Sequence, residues 1–169
     1  MARKFLAFVV FIALCGWFYF TPYIAFNGMK SAIEAKNAAK MSDYINYPAL
    51  KENVKASISA KFIPDIAQGK DKNPAGAFGA ALAVAFIGPM VDALITPAGL
   101  ERMMLGDQSQ PVGNTAQQDA DLDTSKHYES FDRFVVSMKK KGSTEEPFVL
   151  VFIRDGMISW KLSALRLPK

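Results

Sequence analysis

An uncharged stretch close to the N-terminus constrains this chain more than any other feature. Sixteen uncharged residues, Phe5 to Phe20, follow Arg3 and Lys4 directly, and ten of the sixteen are Phe, Leu, Ile or Val. A helix needs about 20 mostly apolar residues to cross the hydrocarbon layer of a membrane, and residues 5–24 meet that length. We therefore predict a transmembrane signal-anchor at residues 1–23 and one domain at residues 24–169.

The residues around the apolar stretch favour an anchor that is retained. A cleaved signal peptide ends in a small-residue site, but this stretch ends in Trp-Phe-Tyr-Phe-Thr-Pro. A lipoprotein would use Cys15, yet Leu14 stands where a small residue is required. Both remain alternatives. Arg3 and Lys4 favour an N-terminus on the cytoplasmic side of the membrane. In a Gram-negative bacterium, the span then lies in the inner membrane and the domain faces the periplasm.

Prolines and apolar spacing predict helices along the middle of the chain. Residues 24–40 continue from the span, with Pro22 as a kink. Pro48 suits the start of a second helix, and Pro64 is expected to stop it. Thr96-Pro97 is a good start for a later helix, which ends at Gly106.

Residues 74–91 form a second stretch without a charge, eighteen residues long. Its length brings a second membrane span into consideration. Three glycines, two prolines and many alanines argue against one, because few residues of this stretch favour insertion. We expect a buried helix that packs close to its neighbours.

The last third of the chain changes to the period of β-strands. Phe134, Val136 and Met138 alternate with polar or smaller residues, and Phe148 to Ile153 is apolar throughout, as in a central strand. Helices followed by strands indicate an α+β fold. We predict several helices packed on a C-terminal antiparallel β-meander of three to four strands.

A hairpin is predicted at Asp155-Gly156. A two-residue turn there pairs Arg154 with Met157, and one face of the hairpin then carries Ile153, Val151 and Val149 opposite Ile158, Trp160 and Leu162. The apolar alternation slips afterwards, which predicts a bulge near Ser163-Ala164. By contrast, residues 106–126 hold few larger aliphatic side chains, and we expect a disordered loop there.

The sequence predicts no metal or cofactor site. One histidine and one cysteine do not supply a typical zinc ligand set. Asp119, Asp121 and Asp123 match the first positions of a calcium-binding loop, but Thr124 replaces the required glycine and Ser130 the required glutamate. An acidic, solvated loop explains the cluster.

Catalytic and nucleic-acid-binding signals are equally sparse. His127 is the sole histidine, and nothing in the sequence positions a partner beside it. The net charge is +4, and the one lysine run, Lys139 to Lys141, precedes a glycine as at a hairpin tip. We therefore expect no nucleic-acid binding; attraction to acidic lipid head groups accounts for the same charge.

Five segments resemble domain-of-unknown-function family 2939. They are Tyr23 to Ala25, Tyr44 to Lys51, Gly88 to Leu100, Phe131 to Phe134 and Trp160 to Leu162. Members are bacterial proteins with an N-terminal apolar segment, so the resemblance implies an envelope protein and no activity. The order of elements is also similar to that of the cystatin-like and NTF2-like folds, and fold alone does not establish function.

Three functions are compatible with these features. The first is a non-enzymatic envelope module that binds another protein through an exposed patch. The second is a domain for a lipid or small apolar ligand held between helices and sheet. The third is an enzyme that uses converging carboxylates, Asp92 with Asp43 or Asp132, in an NTF2-like pocket.

Overall fold

The computed structural model describes residues 2–67, 74–106, 122–144 and 146–168. Within these ranges, helices come first and strands follow, which confirms the predicted α+β fold. The helices are α1 (Ala2–Glu34), α2 (Ala38–Ser42), α3 (Tyr47–Ala67), α4 (Pro74–Leu94) and α5 (Pro97–Gly106). The strands are β1 (Leu122–Ser130), β2 (Arg133–Lys140), β3 (Phe148–Asp155) and β4 (Ser159–Arg166).

The four strands form one antiparallel meander in the order β1-β2-β3-β4. Helices α1 and α3 cover one face of it. The core lies between these layers and combines side chains from the sheet, from α1, from the α2–α3 connection and from α3: Phe134, Val136, Leu150, Phe152, Trp160, Leu162, Phe26, Met29, Ile45 and Leu50. Val135 and Val151 pair across β2 and β3 on the opposite face and are also buried.

Helix α1 is one continuous element with two different surroundings. Its apolar side chains from Phe5 to Leu14 that the structure describes are exposed, whereas Thr21, Pro22, Ala25 and Phe26 are buried against the domain. The predicted helix over residues 24–40 is divided: α1 ends at Glu34, and Asn37 caps α2 by accepting a hydrogen bond from the Lys40 N–H at 2.9 Å. Asparagine is a favoured N-cap, and it restarts the helix here.

The later helices begin where proline and threonine predict. Thr96 precedes α5 and accepts a hydrogen bond from the Gly99 N–H at 2.9 Å. The predicted stop at Pro64 is wrong, because α3 continues to Ala67. Proline removes only one backbone donor, so three further residues can follow. The expectation of a buried α4 is also wrong in part, since Leu82, Phe86, Met90 and Leu94 are exposed.

Strand β1 corrects the predicted loop at 106–126. Residues 122–126 belong to β1, which pairs with β2 from Leu122 opposite Lys140 to Ser130 opposite Arg133; residues 107–121 lie outside the described part of the chain. As an edge strand, β1 pairs on one side only and most of its residues are exposed. It therefore lacks the apolar alternation by which a strand is recognised. The turn after Lys140 contains Gly142 at φ +77°, as the lysine run predicted.

The predicted register of the β3–β4 hairpin is wrong. Asp155 pairs with Ser159 and Arg154 with Trp160, so the turn holds three residues, Gly156 to Ile158. A two-residue turn had paired Arg154 with Met157; the shift of three positions exchanges the faces of the strand. The predicted bulge is confirmed: Phe152 pairs with Leu162 and Val151 with Ala164, leaving Ser163 as the extra residue.

Candidate functional site

The most distinctive part of the protein is the place where α1 leaves the domain. There α1 passes beside two hairpin tips, Ser130 to Asp132 between β1 and β2 and Gly156 to Ile158 between β3 and β4. The Phe18 and Phe131 rings lie 5.9 Å apart. We call this end of the domain, with the two tips and Phe18 to Tyr23 of α1, the helix junction.

A buried hydroxyl joins α1 to the sheet at the helix junction. Pro22 has no N–H, so the Phe18 carbonyl four residues earlier lacks its usual helical donor. The Thr21 hydroxyl donates to that carbonyl at 2.8 Å. The Thr21 hydroxyl oxygen also accepts a hydrogen bond from Nε1 of Trp160 at 2.8 Å, and Trp160 is 2% exposed. Thr21 thus supplies the hydrogen bond that Pro22 cannot donate to the Phe18 carbonyl, and it joins α1 to Trp160 of β4.

Arg154 is held among aromatic rings at the same place. Its guanidinium carbon lies 4.1 Å from the Phe18 ring centroid, 4.6 Å from that of Phe131 and 4.4 Å from that of Trp160. Its terminal nitrogens donate to the carbonyls of Met157 at 3.0 Å and Phe131 at 3.2 Å. One cation therefore links both hairpin tips to α1. Its Nε is buried and has no hydrogen-bond partner in the part of the chain that the structure describes.

An open groove of about 570 Å³ runs along the helix junction between α1 and β1. Its lining is aromatic and basic: Phe18, Tyr19, Tyr23, Lys126, His127, Tyr128, Ser130, Phe131 and Arg154. The Tyr128 hydroxyl donates to the Tyr19 carbonyl at 2.8 Å, and burial raises the pKa of Tyr128 above its ordinary value. The groove thus offers apolar surface with positive charge, and no carboxylate of the described residues lines it.

The outer face of the sheet carries a charged clamp. Glu129 of β1 receives a bidentate interaction from Arg166 of β4, with nitrogen–oxygen distances of 2.9 and 3.0 Å, and Arg133 adds a contact at 3.2 Å. These hydrogen bonds, led by that from Arg166, lower the pKa of Glu129 to about 2. The clamp joins the two edge strands and leaves Glu129 fully occupied by structural partners.

Helix α4 presents a second unusual surface. Leu82, Phe86, Met90 and Leu94 follow one another at four-residue spacing and are 43%, 66%, 62% and 40% exposed. Residues at this spacing lie on one face of a helix. We call these four residues the α4 stripe. A further open cleft of about 640 Å³ lies between the α1–α2 turn and α5, near Ala38, Glu101 and Leu105.

The three acids considered for catalysis do not form a buried site. Asp43, Asp92 and Asp132 are all exposed. Asp92 pairs with Lys55 at 2.9 Å, and the hydrogen bond from this lysine lowers the pKa of Asp92. Asp132 instead accepts a hydrogen bond from the Ser130 hydroxyl at 2.6 Å. All three carboxylates thus face solvent rather than a buried pocket.

The remaining residues singled out in the sequence are dispersed. His127 lies within β1, is exposed, and lines the groove described above. Asp123 is exposed on the same strand, whereas Asp119 and Asp121 lie outside the described residues, as does the side chain of Cys15. Within residues 2–67, 74–106, 122–144 and 146–168, no group of three or more His, Cys, Asp or Glu side chains is placed to hold a metal ion.

Arg154 and the α4 stripe are absent from the sites predicted from the sequence. The three rings around Arg154 come from α1, the β1–β2 turn and β4, and no local spacing connects them. The α4 stripe had a signal, because apolar residues at four-residue spacing are visible in the sequence. The surrounding alanines and glycines made the whole helix read as apolar and therefore buried.

These features define a class: an α+β domain that continues from an apolar N-terminal helix. Among the described helices, one, Lys4–Glu34, is long and apolar enough to cross a membrane. The chain belongs to the family "Protein of unknown function (DUF2939)", whose model matches residues 11–103. The match covers α1 from Phe11 onward to α5 and ends before the sheet, so the resemblances noted at Phe131 and Trp160 lie outside it. That description names no function, and no functional residue is transferred from it.

Searches among the curated proteins and among the solved structures found no significant match.

Proposed function

We propose that this protein is a membrane-anchored module of the bacterial envelope that has no catalytic activity and binds a protein partner. Its single span lies in the inner membrane, with the N-terminus inside and the domain in the periplasm. The exposed apolar half of α1 supports the anchor, and the charges of Arg3 and Lys4 support the orientation. The absence of catalysis is supported by the exposed, separately paired acids.

The α4 stripe is the observation that carries the partner-binding proposal. Large apolar residues are exposed singly on most proteins, but a continuous exposed apolar patch marks an interaction surface. Phe86 and Met90 are both more than 60% exposed, and methionine and aromatic residues are enriched at protein interfaces. The four-residue spacing suits a partner that lays a helix or groove along α4.

Site-specific photo-crosslinking in cells tests this proposal. A benzophenone amino acid is placed at Phe86 or at Met90, and the matched control carries it at Glu52, whose side chain is 79% exposed on α3. We expect a discrete adduct from positions 86 and 90, none from position 52, and loss of the Met90 adduct when Phe86→Asp is added. The proposal is contradicted when position 86 gives no adduct, or when position 52 gives the same adduct.

A second candidate function is the binding of a lipid or another small apolar ligand. The groove of about 570 Å³ at the helix junction favours it, because its aromatic and basic lining suits an apolar molecule with a negative group. Native mass spectrometry of the full chain released from detergent is the test. A discrete extra mass that Arg154→Gln reduces supports this candidate, and a clean apo mass argues against it.

A further inference from the structure

We propose that the helix junction is itself a lipid-binding surface: the tips of the β1–β2 and β3–β4 hairpins insert Phe131, Met157 and Ile158 into the outer boundary of the bilayer that α1 crosses. This inference rests on the proposed membrane anchor and extends it from one helix to the end of the domain. The occupant is the lipid surface, and the docked domain is then held at a fixed height and orientation.

The exposed part of α1 is shorter than the hydrocarbon layer is thick. Phe5 to Phe20 spans about 24 Å at 1.5 Å per residue, whereas the hydrocarbon layer is about 30 Å thick. A span that begins at Phe5, directly after the charge of Lys4, must therefore reach about Ile24. Yet α1 already contacts the hairpin tips at Phe18. The rise along α1 from Phe18 to Ile24 corresponds to about 9 Å of depth shared by lipid and domain.

The exposure of the tips is the second and independent observation. Phe131 is 73% exposed, Met157 83% and Ile158 60%. The two hairpins are separate in the sequence but close at the same end of the sheet, beside α1. Such turns ordinarily carry polar residues. Phe131 lies 5.9 Å from the Phe18 ring of α1, and three large exposed apolar side chains at this end of the sheet fit the acyl-chain boundary of a bilayer.

Charged side chains also lie near the tips. Arg154 lies behind the tips against the Phe131 ring, and its buried Nε has no hydrogen-bond partner among the described residues. Asp155 and Asp132 also lie at this end. Asp155 pairs with Lys161 at 2.6 Å, and Asp132 accepts the Ser130 hydroxyl while its carbonyl receives the Arg154 N–H.

Depth measurement on the full-length chain in phosphatidylethanolamine–phosphatidylglycerol vesicles tests the inference. In a Cys15→Ala background, a nitroxide label is attached to Met157→Cys, Phe131→Cys or Thr144→Cys. Thr144 is the matched control, because it is exposed in the β2–β3 turn at the opposite end of the sheet. A label at Val10→Cys, on the exposed part of α1, reports the anchor.

We expect the labels at 131 and 157 to collide with oxygen more often than with a water-soluble nickel complex. The ratio of the oxygen collision rate to the nickel collision rate should be at least about threefold higher there than at 144. If Phe131→Cys or Met157→Cys changes the thermal unfolding midpoint relative to the parent, Ile158→Cys is labelled in its place. Lipid exposure at Val10 with ratios at 131 and 157 equal to that at 144 overturns the docking and leaves the anchor intact. Water exposure at Val10 removes the proposed anchor, and the docking with it.

Discussion

Replacing Thr21 by valine should loosen the contact between α1 and the sheet. Valine has nearly the shape of threonine but no hydroxyl, so Nε1 of Trp160 loses its acceptor while the ring stays buried. A buried donor left without a partner costs roughly 1–3 kcal/mol. For a domain of this size we expect the midpoint of thermal unfolding to fall by roughly 3–10 °C.

The assay is thermal and urea unfolding of the full-length chain in mild detergent, followed by circular dichroism. Thr21→Ser is the matched control, since it keeps the hydroxyl and removes one methyl group, worth about 0.8 kcal/mol. Trp160→Phe removes the donor, so in that background Thr21→Val should cost at least about 1 kcal/mol less. Equal costs of Thr21→Val in both backgrounds would refute the reasoning, as would a Thr21→Ser effect of the same size.

Three further outcomes follow from the structure. The pKa of Glu129 is lowered to about 2 in the folded protein, so the clamp with Arg166 stabilises the fold above the ordinary carboxyl pKa, and this contribution disappears as pH falls from about 4.5 towards 2. Because both side chains are more than a third exposed, Glu129→Gln should lower the free energy of unfolding by only about 1 kcal/mol at pH 7. In urea titrations at several pH values, the variant should also lose less stability than the parent as the pH falls. Gly99→Ala should destabilise by roughly 1–3 kcal/mol in the same assay, because an added Cβ meets the backbone carbonyls of Leu94 and Ala93; an unchanged midpoint would mean that the start of α5 yields freely. Asp92→Asn should leave the unfolding midpoint unchanged, since the Asp92 side chain is 49% exposed and solvent screens its pairs with Lys55 and Lys51; a large loss would show that the acid has a role that these pairs do not explain.

The predictable parts of the fold are those that local chemistry determines. Pro48, Pro97 and Thr96 mark helix starts because a ring or a hydroxyl suits the first turn whatever lies around it. The bulge at Ser163 follows from a slip in apolar alternation that only an extra residue absorbs. Strand β1 was not predicted because an edge strand needs few apolar residues. Its pairing with β2, rather than its own sequence, makes it a strand.

The hairpin and the helix junction show where local signals are insufficient. Asp-Gly is compatible with turns of different length, and the chain uses three residues because Trp160 and Leu162 then face α1 and the core. Arg154 follows an apolar run and looks like an ordinary strand end in the sequence. Its three ring contacts depend on how α1 lies across the sheet, which is a tertiary outcome.

An intact mass spectrum of membranes washed with alkaline carbonate tests the central claim, a retained anchor, most directly. The wash removes peripheral proteins and leaves integral ones. The account predicts that the chain stays in the washed membranes with its N-terminal apolar segment attached, the 169 residues accounting for 18.6 kDa. A chain released by the wash, or one that has lost its N-terminal apolar segment, would contradict the anchor and the membrane docking derived from it.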